Sequence, residues 1–162
     1  DIHLLTLGAI ERGGSGCACP ESVILKALLT DVILFKDDCV ILDMEAGLEH
    51  LGRATAKGVT MMLIIVEPGS CAVETALAIK RMASEIGIPR LVIIGNKVAN
   101  DDDEKFLKNA FCHSSYLGSL HYNDVIRCAD RESLPLIDVA PSALRQSFQT
   151  LWQQIKNLDS YN

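Results

Sequence analysis

Two cysteines one residue apart, Cys17 and Cys19, are the best candidates for metal binding in this sequence. They lie in the glycine-rich segment ERGGSGCACP, and Pro20 then opens a helix whose positive N-terminus lowers the pKa of nearby thiols. Two thiolates can bind one soft metal ion, but they supply only two of the four ligands of a tetrahedral or square-planar site. A two-fold interface between two copies of the chain would supply all four. A redox pair and two unengaged cysteines are the alternatives.

A second candidate site follows an apolar segment. Residues 39–43 have the apolar, β-branched composition of a buried strand, and Asp43 lies where that strand is predicted to end. Ala46 and Gly47 follow, and they are small enough for backbone N–H groups to approach a ligand closely, as phosphate-binding turns require. The pattern predicts a carboxylate beside an anion-binding turn. The alternative is a strand-end Asp that caps the next turn.

Strands and helices alternate along the chain that positions these residues. Predicted strands cover residues 2–9, 39–43, 61–66, 90–94 and 115–120; predicted helices begin at Pro20 and at Ser142 and cover residues 72–86, 100–112 and 123–130, with a short helix or irregular segment at 48–57. This order predicts a doubly wound α/β fold, with a mostly parallel sheet and helices on both faces. Such sheets bind ligands at the carboxyl ends of their strands, where Asp43, Glu67 and Asn96 fall.

Two helical segments are predicted to have structural roles. The acidic residues Asp101–Asp103 do not share a helix face, so a helix cap at Asn100 with charges that favour the helix dipole is preferred to a metal cluster. The last helix has an apolar stripe that is predicted to pack on one face of the sheet, and Trp152 is interpreted as part of that packing. The stripe consists of Leu144, Phe148, Leu151, Trp152, Ile155 and Leu158.

Composition limits the class of protein. The length of 162 residues fits a single domain, residues 1–162, with an ordinary core. The net charge of −6 and the lack of a basic cluster argue against nucleic-acid binding. No apolar run reaches the roughly 18 residues of a membrane span. Six cysteines without a secretory signal predict a reduced, cytoplasmic protein.

Four segments together resemble a known family. They are GGSGCACPESVILKALL, VILDMEAGLEHLGRATAKGV, IIVEPG and IIGNKV. The sequence is similar to the nickel-insertion accessory ATPases of carbon monoxide dehydrogenase, the CooC type, which belong with the MinD and ParA-like deviant-Walker P-loop NTPases. The resemblance runs in register from about Leu4 to Val98 and becomes generic as far as about Ile155. It implies a P-loop NTPase-like fold, here incomplete at the N-terminus.

The resemblance implies a role for each matched residue at the metal and phosphate sites. Cys17 and Cys19 match the family's CxC, which binds nickel or zinc between two subunits. Asp43 matches the acid that associates with Mg²⁺ through water, and Gly47 matches the glycine that senses the γ-phosphate of ATP.

At the base, Asn96 matches the asparagine that reads adenine with its side-chain amide, and Lys97 is expected to pack beside the base. Glu49, His50 and Arg53 match residues typical of the CooC type, but the sequence does not assign them a role, and a helix-face salt bridge or a subunit contact is at least as good an interpretation as catalysis.

One motif of the family is missing. Residues 1–162 contain neither GxxxxGK[ST] nor the deviant KGGxGKT, so no P-loop Lys is available for the phosphates. The chain is therefore expected to be the C-terminal portion of a homodimeric ATPase whose client is carbon monoxide dehydrogenase, and to be inactive alone. A non-enzymatic CxC metal-binding or scaffold dimer and a ParA-like partition ATPase are the alternative hypotheses.

Overall fold

The computed structural model describes residues 4, 39–44, 59–111 and 115–159. The chain divides into two compact units, residues 1–58 and 59–162. In the first unit, the strand predicted at residues 2–9, the helix predicted from Pro20 and the segment predicted at 48–57 lie outside the described residues, apart from the exposed Leu4.

In the described part of the second unit, three strands alternate with two helices, and three helices follow the last strand. The elements are β1 (Met62–Val66), α1 (Ser70–Glu85), β2 (Leu91–Val98), α2 (Asp101–Phe111), β3 (Tyr116–His121), α3 (Asp124–Arg131), α4 (Leu136–Val139) and α5 (Ser142–Asp159). All but α4 were predicted, with bounds that agree within a few residues. The short helix α4 fits between two prolines that the sequence marked only as breaks, because Pro135 has a backbone conformation suited to the residue before a helix.

The three strands form one parallel sheet in the order β1-β2-β3. Ile64 lies beside Ile93 and Val66 beside Gly95 in the pairing of β1 with β2. Parallel strands need crossover connections, and α1 and α2 provide them. The prediction of an α/β fold with a parallel sheet is confirmed.

The core lies between one sheet face and helices α1 and α2. It is built from residues of both strands and helices: Ile64, Val66, Val73, Ala76, Ile93, Val98, Leu107 and Phe111. Strand β2 is covered on both faces, with four consecutive buried residues from Val92 to Gly95. Strand β1 is covered on one face only, since Leu63 and Ile65 are exposed. The central strand therefore has the continuous apolar sequence typical of buried parallel strands.

The prediction of a buried strand at residues 39–43 is wrong. Residues 39–44 have no regular secondary structure, and Val40 and Ile41 are 48% and 78% exposed. Apolar β-branched residues favour a strand only where a neighbouring strand pairs with the backbone and a second layer covers the side chains. Within the described part of the chain, this segment has neither.

Helix α5 contacts β3, but its apolar stripe is covered only in part. Leu144 is buried, whereas Phe148 and Trp152 are 38% and 44% exposed. The predicted contact of this helix with the sheet is thus confirmed, whereas the burial predicted for its apolar stripe is only partial at Phe148 and Trp152. The guanidinium of Arg90, which lies between α1 and β2, donates to the carbonyl of Leu158 in the last turn of α5. Its positive charge stabilises the negative C-terminal end of that helix. Among the described helices, none is long and apolar enough to cross a membrane.

Candidate functional site

The carboxyl ends of β1 and β2 bring three polar residues together. Because Val66 pairs with Gly95, Glu67 comes level with Asn96 and Lys97. The ammonium Nζ of Lys97 lies 2.6 Å from Oε1 of Glu67, and both side chains are more than half exposed. The hydrogen bond and the charge of Glu67 raise the pKa of Lys97 above its ordinary value. Lys97 is therefore a cation at neutral pH.

Asn96 and Lys97 form a bulge in β2. Gly95 is paired with Ser119 and Val98 with His121, so β2 has two residues where β3 has one. Lys97 adopts a left-handed backbone conformation, with φ of 55°. One extra residue reverses the alternation of side chains along a strand. As a result Val98 returns to the core, with no exposed surface, and Lys97 points to solvent.

Close packing fixes the strand just before the bulge. A Cβ atom added to Gly95 would lie 2.6 Å from the hydroxyl oxygen of Tyr116 and 2.9 Å from both Leu107 Cδ1 and Ser119 Cβ. No larger residue fits there without movement of its neighbours. The strand after the bulge is held by the carbonyl of Val98, which accepts from the backbone N–H of Tyr122 at 2.9 Å.

A polar network surrounds the side chain of Glu104 next to Gly95. Oε2 of Glu104 accepts from the hydroxyl of Tyr116 at 3.1 Å and from the hydroxyl of Ser119, and Lys108 Nζ lies 3.1 Å from Oε1. Burial alone raises the pKa of Glu104, but the hydrogen bonds from Ser119, Lys108 and Tyr116 and the charge of Lys108 together lower it. Glu104 is therefore an ionised carboxylate enclosed by donors.

The same network perturbs Tyr116. Burial is the largest influence on this phenol and raises its pKa, the hydrogen bond with Ser119 lowers it, and the adjacent charge and hydrogen bond of Glu104 raise it further, to about 12. Tyr116 therefore stays protonated and donates to Glu104. The sequence analysis did not predict this network. Its only signal in the sequence is that Glu104, Tyr116 and Ser119 are polar residues in segments whose apolar neighbours face the core.

The other predicted site residues are distributed as follows. Asp43 is exposed and lies in the first unit, and Asn96 and Lys97 lie in the second. Cys17, Cys19 and Gly47 lie outside the described residues. The described part of the chain contains no group of three or more His, Cys, Asp or Glu side chains arranged to hold a metal ion.

The acidic run at the start of α2 has the structural role expected of it. Oδ1 of Asn100 accepts from the backbone N–H groups of Asp102 and Asp103 at 2.9 and 3.0 Å, and Oδ2 of Asp103 accepts from the N–H of Ala99 at 2.9 Å. This is a reciprocal cap of the kind that satisfies the free N–H groups at a helix start. The predicted helix cap is confirmed.

Comparison with known proteins agrees with the motifs. No protein-family model matches the chain. The carbon monoxide dehydrogenase accessory protein CooC of Rhodospirillum rubrum is 37% identical over 141 residues, which are 87% of this chain and 54% of that protein. Over most of its length this chain is therefore similar to a CooC-type accessory protein. An ATP-binding protein of Methanocaldococcus jannaschii is 51% identical over 104 residues, which are 64% of this chain and 40% of that protein.

A further ATP-binding protein of Methanocaldococcus jannaschii is 34% identical over 137 residues, which are 82% of this chain and 53% of that relative. This chain thus spans about half the length, or less, of the curated relatives that it matches.

Proposed function

We propose that this chain belongs to an ATP-dependent accessory protein for carbon monoxide dehydrogenase, in which nucleotide binding is coupled to nickel insertion. Its similarity to CooC and to ATP-binding relatives supports the general function. The observation that carries the proposal for this chain is the bulge at the carboxyl edge of the sheet, where parallel α/β sheets bind ligands. This bulge presents Asn96 half-buried beside the exposed Lys97.

The chemistry of Asn96 fits adenine. A side-chain amide offers one acceptor and two donors, which complement the amino group and ring nitrogen at one edge of adenine, whereas guanine presents a different pattern there. Asn96 as a whole is partly buried, and partial burial reduces competition from water. The aliphatic stem of Lys97 can cover the base while its ammonium stays in solvent beside Glu67.

For the phosphates, we propose two residues of the first unit, Asp43 and Gly47. The exposed carboxylate of Asp43 is a hard oxygen ligand of the type that Mg²⁺ prefers, and Mg²⁺ commonly binds protein carboxylates through retained waters. Gly47, without a side chain, allows a backbone N–H to approach the γ-phosphate. When bound, Mg²⁺ would neutralise phosphate charge.

Nickel is the proposed cargo, with zinc as the competing ion, since thiolates accept both. Cys17 and Cys19 of two subunits would together supply four thiolates in a homodimer. If nucleotide binds at the dimer interface, closure changes the approach of the two CxC loops, and metal binding and nucleotide binding then share one equilibrium. Residues 1–162 contain no P-loop lysine, so we expect no ATP hydrolysis from this chain alone.

The second candidate function is a non-enzymatic CxC dimer that binds metal without using nucleotide. It needs Cys17 and Cys19 but not Asn96. Such a protein would bind nickel with unchanged affinity in the presence of ATP, whereas the coupled accessory protein would bind it with a different affinity.

The base site is tested by titrating the chain with millimolar ADP or GDP and following backbone amide shifts by NMR. We expect ADP to shift the amides of Glu67, Asn96 and Lys97, and GDP to bind more weakly. Asn96→Ala should abolish the preference for ADP. Asn157→Ala is the matched control, because Asn157 is an exposed amide on α5 that hydrogen-bonds Gln153 and not the sheet edge. Equal binding of ADP and GDP by the wild-type chain would refute the proposal.

A further inference from the structure

We infer that Glu67 is a positioning residue for base recognition: its carboxylate holds Lys97 in the bulge and thereby sets the orientation of the Asn96 amide. The inference rests on the proposed adenine site and adds a residue to it. It is carried by the 2.6 Å contact between Lys97 and Glu67, by the backbone conformation of Lys97 and by the pairing of the two strands.

The conformation of Lys97 is unusual for its residue type. A left-handed φ is common for Gly and enriched for Asn and Asp, but it is unfavourable for a long side chain with a Cβ atom. Strained backbone persists where surrounding contacts determine it, and it is concentrated at functional sites. Here the contacts on both sides are strong, because Gly95 is enclosed by packing and Val98 is fully buried.

Glu67 supplies the restraint on the side chain of Lys97. The residue after Glu67 is Pro68, which restricts the backbone of Glu67 to extended conformations. The carboxylate thus comes from a constrained position at the end of β1 and reaches across to the end of β2. Exposed ion pairs contribute little to folding stability, so the main consequence of this pair is geometric. It connects two strand ends at the edge where the base is proposed to bind.

The pair also explains why the bulge can serve recognition. Without a partner, the ammonium of Lys97 would sample many rotamers in solvent, and its stem would not stay beside Asn96. When Glu67 pairs with Lys97, the aliphatic stem of Lys97 is held along the sheet edge, and one side of the space around the Asn96 amide is fixed before the base binds. Fixing contact groups before a ligand arrives reduces the entropy lost on binding.

The test compares Glu67→Gln with wild type in the same ADP and GDP titrations. We expect ADP binding to weaken roughly three- to tenfold, the effect of one lost hydrogen bond, while GDP binding changes less, so that the ratio of the two affinities falls. The thermal midpoint should be nearly unchanged, since the pair is exposed. Glu132→Gln is the matched control: Glu132 pairs with Arg131 on the surface after α3. It should leave the ratio unchanged.

A measurement without nucleotide separates the two claims. In Glu67→Gln, the Cα and Cβ chemical shifts of Lys97 and the side-chain amide shifts of Asn96 should move away from their wild-type values. If these shifts and the affinity ratio both stay at wild-type values, Glu67 does not position the site. If instead the wild-type chain shows no preference for ADP while the shifts respond to Glu67→Gln, the adenine site is wrong although the restraint on Lys97 is real.

Discussion

Replacement of Gly95 by Ala tests the link between core packing and the bulge most severely. The added methyl group would meet three atoms at 2.6 to 2.9 Å, distances that real Cβ atoms essentially never show. The Tyr116 hydroxyl is the end of a side chain and can move. Ser119 Cβ is attached directly to the backbone of β3, and Leu107 has no exposed surface, so these two contacts require movement of the strand or of helix α2.

The expected cost follows from these contacts. Overpacking a well-filled core by one methyl group destabilises a protein by about 1–3 kcal/mol, and immobile neighbours place Gly95→Ala in the upper part of that range, about 2–3 kcal/mol. Such a loss is a large fraction of the free energy of unfolding of a small domain, about 5–15 kcal/mol. It should lower the thermal midpoint by roughly 10 °C or more.

Urea denaturation followed by circular dichroism measures this loss, with Gly118→Ala as the control. Gly118 lies in the adjacent strand, but a Cβ there would meet its nearest neighbour, Gln154 Oε1, at 3.8 Å, an ordinary contact. We expect that control to change the free energy of unfolding by no more than about 0.5 kcal/mol. Adding Tyr116→Phe to Gly95→Ala removes the closest contact and should recover about 0.5–1 kcal/mol in a double-mutant cycle. If Gly95→Ala and Gly118→Ala have the same cost, the packing described around Gly95 is wrong.

Three further predictions concern the polar groups near the site. Asn100→Ala should cost about 1 kcal/mol of unfolding free energy in urea, because it removes the cap of α2, and a cost no larger than that of Asn157→Ala would contradict this. Folding lowers the pKa of Glu104, so the stability that its carboxylate contributes is complete above the unfolded-state pKa of 4.5 and is lost as the pH falls through the lower folded-state pKa. Glu104→Gln should therefore flatten the dependence of the free energy of unfolding on acid pH, whereas Glu132→Gln should not. Folding raises the pKa of Tyr116 from 10.0 to about 12, so the stability that its protonated phenol contributes is complete below pH 10 and is lost as the pH rises through 12. Tyr116→Phe should remove this loss of stability at alkaline pH. If the variant has the same stability profile as the wild type between pH 10 and 12, the prediction is wrong.

The regular elements of the second unit could be predicted from the sequence because their signals are local. Helical spacing, the breaker at residues 67–70 and the acidic start of α2 are all visible within a few residues of each element. The apolar composition of residues 91–94 is likewise a local signal for a strand, and the structure shows that this strand is covered on both faces. Such features depend little on which strands lie side by side.

The bulge and the network around Glu104 depend on contacts distant in sequence. Lys97 lies where β2 has one residue more than β3, between the pairs Gly95–Ser119 and Val98–His121, and its left-handed conformation follows from a strand register that no local pattern reports. Glu104 and Ser119 meet through the packing of α2 on β3, fifteen residues apart. Residues 39–43 show the opposite failure: their local apolar signal was strong, but strand formation depends on pairing that these residues lack within the described part of the chain.

The most direct test of the proposed function is metal analysis combined with native mass spectrometry of the purified chain after loading with Ni²⁺. We predict a dimer that holds one nickel ion per two chains, and loss of that ion in the Cys17→Ser/Cys19→Ser double variant. The matched control replaces the exposed Cys71 and the partly exposed Cys128 by Ser and should keep the ion. One nickel ion per monomer, or nickel retained by the Cys17→Ser/Cys19→Ser variant, would contradict a site shared between two CxC loops.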